Sequence, residues 1–125
     1  MKKILIIDDD AWLADNYRLL LEAHGWQVTI TASANEAINL IDELEPSILL
    51  LDYLLPLQSA PALLHELQSY SDTQKIPVVL CTSLELAAGI SLKEYGVLRL
   101  LDKTKVTPAQ IIEVIEEIYY ATIKD

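Results

Sequence analysis

Four apolar stretches of the chain end in residues with chemistry of their own. ILII (Ile4–Ile7) runs into Asp8, Asp9 and Asp10, ILLL (Ile48–Leu51) into Asp52, VVLC (Val78–Cys81) into Thr82, and GVLRLLD (Gly96–Asp102) into Lys103. Carboxylates converging within a few ångströms repel one another unless a cation sits among them. Mg2+ suits such a cluster, because it takes hard oxygen ligands and typically binds through a few carboxylates, waters and phosphate oxygens. A lysine and a hydroxyl on the opposite side would hold an anion that also touches the metal. Carboxylates, metal, lysine and hydroxyl together describe a site for a phosphoryl group.

These residues act together only if the chain brings the ends of the four stretches to one place. Short apolar runs do alternate with segments of helical period. Strands are expected at Ile4–Ile7, Gln27–Thr31, Ser47–Asp52, Pro77–Ser83 and Gly96–Lys103. Between the first two, Leu13, Tyr17, Leu20 and His24 share a helical face, with Asp10 as the helix cap and Gly25 as its stop. Ala37, Ile38, Ile41 and Leu44 mark a second helix, closed by Pro46. A third is expected from about Pro61 to Ser69, and a weaker fourth around Leu86–Tyr95. Thr107 and Pro108 open the last helix as N-cap and first helical residue, and Ile111, Ile115, Ile118 and Tyr119 share its face.

Uninterrupted apolar strands alternating with helices predict an α/β fold, a single doubly wound parallel sheet covered on both faces. Ligands of such sheets bind beyond the carboxyl ends of the strands. Asp8, Asp9, Asp52, Thr82 and Lys103 all stand there, whereas the end of the second strand, Thr31, need not join them. Asp10 belongs to the helix cap instead.

The bulk composition agrees. With 125 residues, 52% of them hydrophobic, the chain is expected to be one domain, 1–125, with a real core. Its 19 Asp plus Glu outnumber 9 Lys plus Arg, giving a formal charge of −10. That field repels nucleic acid and anionic membrane, so no direct contact with either is expected. A partner with a basic face, or a metal ion, fits the sign. No apolar run is long enough to span a bilayer, no leader is evident, and the single Cys81 has no partner for an internal disulfide. A cytoplasmic protein is expected, in which the last helix uses up the chain and leaves no room for an output domain. A nucleotide-binding P-loop is excluded, since no glycine-rich loop follows the first strand.

ILIIDDD, ILLLDYLLP, VVLCTS and LLDK, in this order and spacing, resemble the response-regulator receiver domains of two-component signalling over the whole chain. The resemblance implies a flavodoxin-like sheet of strand order 2-1-3-4-5. It implies that Asp52 takes a phosphoryl group from a histidine kinase or histidine phosphotransfer protein, with Mg2+ as cofactor. Asp9 would then bind Mg2+ directly, Asp8 largely through water, and Asp52 and the backbone carbonyl of Leu54 would complete the protein ligands. Thr82 and Lys103 would contact the phosphoryl oxygens. Such a protein is not an enzyme beyond catalysing its own phosphorylation and dephosphorylation. A homodimer or an output partner is expected on the face made by the fourth helix, fifth strand and fifth helix.

Several positions depart from the family pattern. Ala60 stands where receivers usually carry glycine, so the loop cannot rely on a glycine's positive φ, and Ser59 and Pro61 are expected to begin the third helix directly. Thr104 replaces the proline after the lysine, which predicts a trans Lys103–Thr104 bond, since a cis bond without proline costs about 3 kcal/mol. Leu100 replaces an aromatic switch residue, so an inward ring flip is unavailable. These departures leave an alternative function, an interaction or scaffold module that signals without phosphorylation. A hydrolase with an aspartate nucleophile would want an acid two residues after Asp52, and Leu54 is there instead.

Overall fold

The computed structural model describes residues 2–52, 60–69, 75–82, 97–102 and 105–123. Five strands form one sheet: β1 (Lys3–Ile7), β2 (Gln27–Thr31), β3 (Ile48–Asp52), β4 (Val78–Thr82) and β5 (Val97–Asp102). All neighbours pair in parallel, in the order β2-β1-β3-β4-β5. This is the flavodoxin-like order that the family resemblance implies. A register shift opposite Val78 and Val79 gives β5 one extra residue near its start.

The helices are α1 (Ala11–Ala23), α2 (Ala34–Leu44), α3 (Ala60–Gln68) and a C-terminal helix (Pro108–Ile123). The expected helix around Leu86–Tyr95 lies outside the described residues. Side chains alternate across each strand, which sorts the apolar residues into two cores. Ile4, Ile6, Ile48 and Leu50 face α1 and the C-terminal helix, while Leu5, Ile7, Leu49 and Leu51 face α2 and α3. Every residue of β3 is buried, as befits the strand flanked by others on both sides and helices on both faces.

The turns follow their local chemistry. Asp10 accepts a hydrogen bond from the Leu13 N–H at 3.1 Å and so caps α1. At the other end Gly25 has φ +88°. The N–H of Trp26 reaches the Leu21 carbonyl and that of Gly25 the Glu22 carbonyl, each at 3.0 Å, a Schellman closure. Thr107 and Gln110 cap the C-terminal helix reciprocally: each backbone N–H donates to the other's side-chain oxygen, at 2.8 and 3.2 Å. Ala60 is the first residue of α3, so the usual family glycine is replaced by a helical alanine, with Pro61 harmless in the first turn.

The inward face of α1 differs from the one expected. Ala14, Tyr17 and Leu21 are its buried residues, Leu13 is half-buried, and Leu20 and His24 face outward. Leu19, Leu20 and Leu21 are consecutive, so apolar character covers most of the circumference. Packing of the C-terminal helix, not periodicity, selects which leucine is enclosed.

Lys2 closes the amino-terminal edge of the sheet. Its Nζ lies 2.9 Å from Glu116 Oε1 and 2.6 Å from the His24 carbonyl, and 5.2 Å from the Trp26 ring centroid. Trp26 Nε1 donates to the same Glu116 oxygen at 2.9 Å. Partial burial opposes the Lys2 charge, but hydrogen bonding and attraction from Glu116 outweigh it and hold the Lys2 pKa above the usual lysine value.

Glu45, after α2, adopts a left-handed conformation with φ 49° and ψ 60°, and Pro46 follows it. A side chain is disfavoured there and a glycine is not. Glu45→Gly should therefore stabilise the protein by about 0.5–1 kcal/mol. Urea unfolding would show it as a higher midpoint at unchanged slope. A lower midpoint would mean that Glu45 makes compensating contacts.

Candidate functional site

β1 and β3 are adjacent and in register, Ile7 opposite Leu51, so the next residues of each, Asp8 and Asp52, stand side by side at the end of the β1–β3 ladder. Strand spacing near 4.8 Å makes this proximity a property of the ladder itself. Asp8 and Asp52 are also the next members of the series Ile4–Ile6 and Ile48–Leu50, which face α1. The backbone N–H of Asp8 still bonds to the Thr31 carbonyl at 3.0 Å, extending the β1–β2 ladder by one step. The chain then turns: the Asp10 N–H donates to Asp8 Oδ1 at 2.9 Å, which directs the Asp10 side chain to the start of α1.

The result is a carboxylate cluster at the carboxyl edge of the sheet. One oxygen each from Asp8, Asp9 and Asp52 lies within 4.8 Å of the others. Asp8 is 4% and Asp52 3% exposed, while Asp9 faces solvent. A buried carboxylate persists only in cationic or hydrogen-bonding company. Metal–oxygen distances of 2.0–2.6 Å for Mg2+ or Ca2+ put ligand oxygens on one ion roughly 3–5 Å apart. The cluster therefore fits a hard divalent cation after small side-chain adjustments or with a bridging water, and the exposed Asp9 side leaves room for further oxygen ligands.

Thr82 ends β4 and pairs with Asp102, the last residue of β5. Asp52 pairs with Cys81, one step earlier on β4. The backbones of Asp52 and Thr82 thus reach the same edge of the sheet. Lys103, the residue after Asp102, and Leu54 lie outside the described residues, as does the Lys103–Thr104 bond. Lys105 is exposed in the turn that follows β5 and donates its N–H to the Asp102 carbonyl at 2.9 Å. Thr31 meets Asp8 through its backbone carbonyl, while its hydroxyl oxygen accepts from the Ser33 N–H at 3.2 Å. Cys81 is buried as a small core residue, and His24 and His65 are exposed.

Tyr17 is a neighbour of the cluster that its sequence pattern places only in the core. It is 3% exposed, and burial, followed by the nearby Cys81, Asp8, Asp52 and Asp10, pushes its phenol pKa well above the usual value. It therefore stays a neutral hydroxyl under the carboxylates at any physiological pH. The only sequence signal is that position 17 is one of two aromatic residues, with Trp12, on the helix following the aspartate triplet, and the one that falls on the apolar face.

Comparison with known proteins gives a consistent picture. The family model described as the response regulator receiver domain matches residues 4–116. The phosphate regulon transcriptional regulatory protein PhoB of Escherichia coli is 32% identical over 82 residues, 66% of this chain and 36% of PhoB. The transcriptional regulatory protein YdfI of Bacillus subtilis is 32% identical over 105 residues, 78% of this chain and 47% of YdfI. The matched part is thus less than half the length of either regulator. A CheY-like receiver domain from Methanospirillum hungatei superposes with a TM-score of 0.83 at 27% identity, covering 99% of this chain and 98% of its own. The receiver domain of a sensor histidine kinase from Pseudomonas aeruginosa, with a magnesium ion coordinated in its active-site cleft, superposes with a TM-score of 0.78 at 18% identity, covering 94% of this chain and 97% of its own.

Proposed function

The chain belongs to the response-regulator receiver family, and on that premise we propose that it is a phosphorylatable switch whose phosphoacceptor is Asp52. The observation that carries this reading is the convergence of the Asp8, Asp9 and Asp52 carboxylates within 4.8 Å at the carboxyl edge of the sheet. The phosphoryl donor is a phosphohistidine of a histidine kinase or a histidine phosphotransfer protein. Asp8, Asp9, Asp52 and the Leu54 carbonyl would hold Mg2+, in keeping with the magnesium in the Pseudomonas aeruginosa receiver cleft. When bound, the ion neutralises negative charge on the phosphoryl oxygens.

An Asp52 carboxylate oxygen forms the new O–P bond as the N–P bond of the donor breaks. The imidazole leaves with that electron pair and is protonated. Lys103 and Thr82 hold the phosphoryl oxygens, charge to charge and by a hydroxyl hydrogen bond. Burial keeps Asp52 in one orientation, since β3 is enclosed on every side. The product is an acyl phosphate at the sheet edge. The added charge shifts a pre-existing equilibrium between surface arrangements by its differential contacts with the two.

Receivers are signalling switches, not classical enzymes, and the proposed catalysis is confined to the protein's own phosphorylation and dephosphorylation. Residues 1–125 act as one such domain in the cytoplasm. Among the described residues no helix is long and apolar enough to cross a membrane. For output we propose the face that includes β5 and the C-terminal helix, where Arg99 is exposed and Leu100 is half-buried against the core.

Reductive trapping tests the acceptor assignment. Borohydride reduces an acyl phosphate to an alcohol, so protein loaded from acetyl phosphate should yield homoserine at position 52 on peptide mapping. Homoserine at position 8 or 9, with position 52 unchanged, would move the acceptor and overturn the assignment.

A further inference from the structure

A groove of about 540 Å³ runs between α1 and the C-terminal helix. Its floor and one rim are apolar, with Leu20, Ile112 and Tyr120 among the lining residues. Leu20 is 36% and Tyr120 47% exposed, and Leu19, at 64%, lies next to Leu20 on α1. The C-terminal helix contributes residues 109, 112, 113, 116, 117 and 120, a single i, i+3, i+4 stripe. A stripe of this kind, half apolar and half open, has the form of a helix face awaiting another helix.

The charges on the groove decide what that helix is. Glu113 and Glu117 line it and are exposed, and Glu116 between them is already engaged by Lys2 and Trp26. His24 is the sole basic residue among those lining it, and Arg99 approaches Glu117 only to 3.7 Å from β5. A second copy of this chain would bring −10 against −10. A two-fold contact centred on this groove would also set its acidic stripe against the same acidic stripe of the other copy. The acidic rim repels anionic lipid and nucleic acid in the same way.

We infer that the α1–C-terminal-helix groove docks a basic amphipathic helix of another protein, whose apolar side chains cover Leu20, Ile112 and Tyr120 while its lysines or arginines meet Glu113 and Glu117. The stripe from Ala109 to Tyr120 rises about 16 Å, which accommodates roughly three turns of a partner helix. Tyr120 is the natural anchor, being aromatic, half-exposed and held edge-to-face by Tyr119 at 5.3 Å. Docking here does not require a phosphoryl group at Asp52, so it can be measured separately from the proposed switch.

The probe is a synthetic amidated Lys/Leu peptide of about three to four turns with leucines on one helical face. Two controls accompany it, a scrambled peptide of identical composition and a Glu-for-Lys counterpart. The full unphosphorylated chain is titrated by calorimetry, with amide chemical shifts recorded in parallel. The amphipathic peptide should bind one to one, about tenfold or more tighter than either control, and shift amides along α1 and the C-terminal helix. Glu113→Lys with Glu117→Lys should weaken it about tenfold or more, and so should Tyr120→Ala, with circular dichroism unchanged. Equal binding of the scrambled peptide, or unchanged binding by the charge-reversed variant, would reduce the effect to attraction by net charge and overturn the inference. So would a dimer in sedimentation that Tyr120→Ala dissociates, because the groove would then serve a second copy.

Discussion

Asp9→Asn should weaken Mg2+ binding by roughly a hundredfold or more while leaving the fold intact. Loss of a residue that merely supports a metal ligand typically costs 10–100-fold in affinity. Exchange of a charged direct ligand for a neutral amide should reach the upper end of that range or pass it. Asp9 is the exposed member of the cluster, so the substitution disturbs no buried packing. It also removes one of three negative charges whose oxygens lie within 4.8 Å. The metal-free variant should therefore melt at a higher temperature than the metal-free parent. Calorimetric titration and thermal melts with and without Mg2+ measure both effects. Equal Mg2+ affinity in parent and variant would remove Asp9 from the metal site.

The second large effect concerns the lifetime of the acyl phosphate. Leu54 and Leu84 follow Asp52 and Thr82 by two positions, and receiver similarity places such residues beside the phosphoryl group. Polar side chains there can orient an attacking water, whereas leucine neither positions the water nor stabilises its developing charge. Two apolar side chains at such positions would also keep water from the line of attack. A positioned polar group typically contributes about a hundredfold to such a step. The phosphorylated protein should thus decay slowly and depend on a partner for rapid reset. Leu54→Asn combined with Leu84→Glu should speed the decay several-fold, up to about a hundredfold. The decay is followed after donor removal with Mg2+ retained. Identical decay of parent and variant would show that these leucines do not control water access.

Strands and caps were legible because they are written locally. Ile48–Leu51 is continuously apolar and can only be a buried strand, and Asp10, Gly25 and Thr107 act through groups within a few residues of themselves. The carboxylate cluster was legible for a related reason, since an aspartate directly after a buried parallel strand must emerge at the carboxyl edge. The enclosed face of α1 was not. Leu19, Leu20 and Leu21 offer three directions, and the choice of Leu21 depends on a helix that begins at Pro108. Tyr17 escaped as a neighbour of the site because its place depends jointly on the docking of α1 and on the side of β1 and β3 from which Asp8 and Asp52 emerge. The Lys2–Glu116 pair spans 114 positions of sequence, and the two rings beside it stand 93 apart in sequence, with centroids 5.1 Å apart. Strand order, too, rested on family resemblance, because five buried parallel strands are compatible with more than one winding.

The proposed switch stands or falls on whether Asp52 accepts a phosphoryl group with the aid of Mg2+. Intact-mass measurement after incubation with acetyl phosphate tests it most directly, comparing the parent with Asp52→Asn in the presence of Mg2+ and of a chelator. The parent with Mg2+ should gain a single phosphoryl group, and the chelated parent and the variant should gain none. An adduct of equal yield on Asp52→Asn, or no adduct on the parent with Mg2+ present, would contradict the claim.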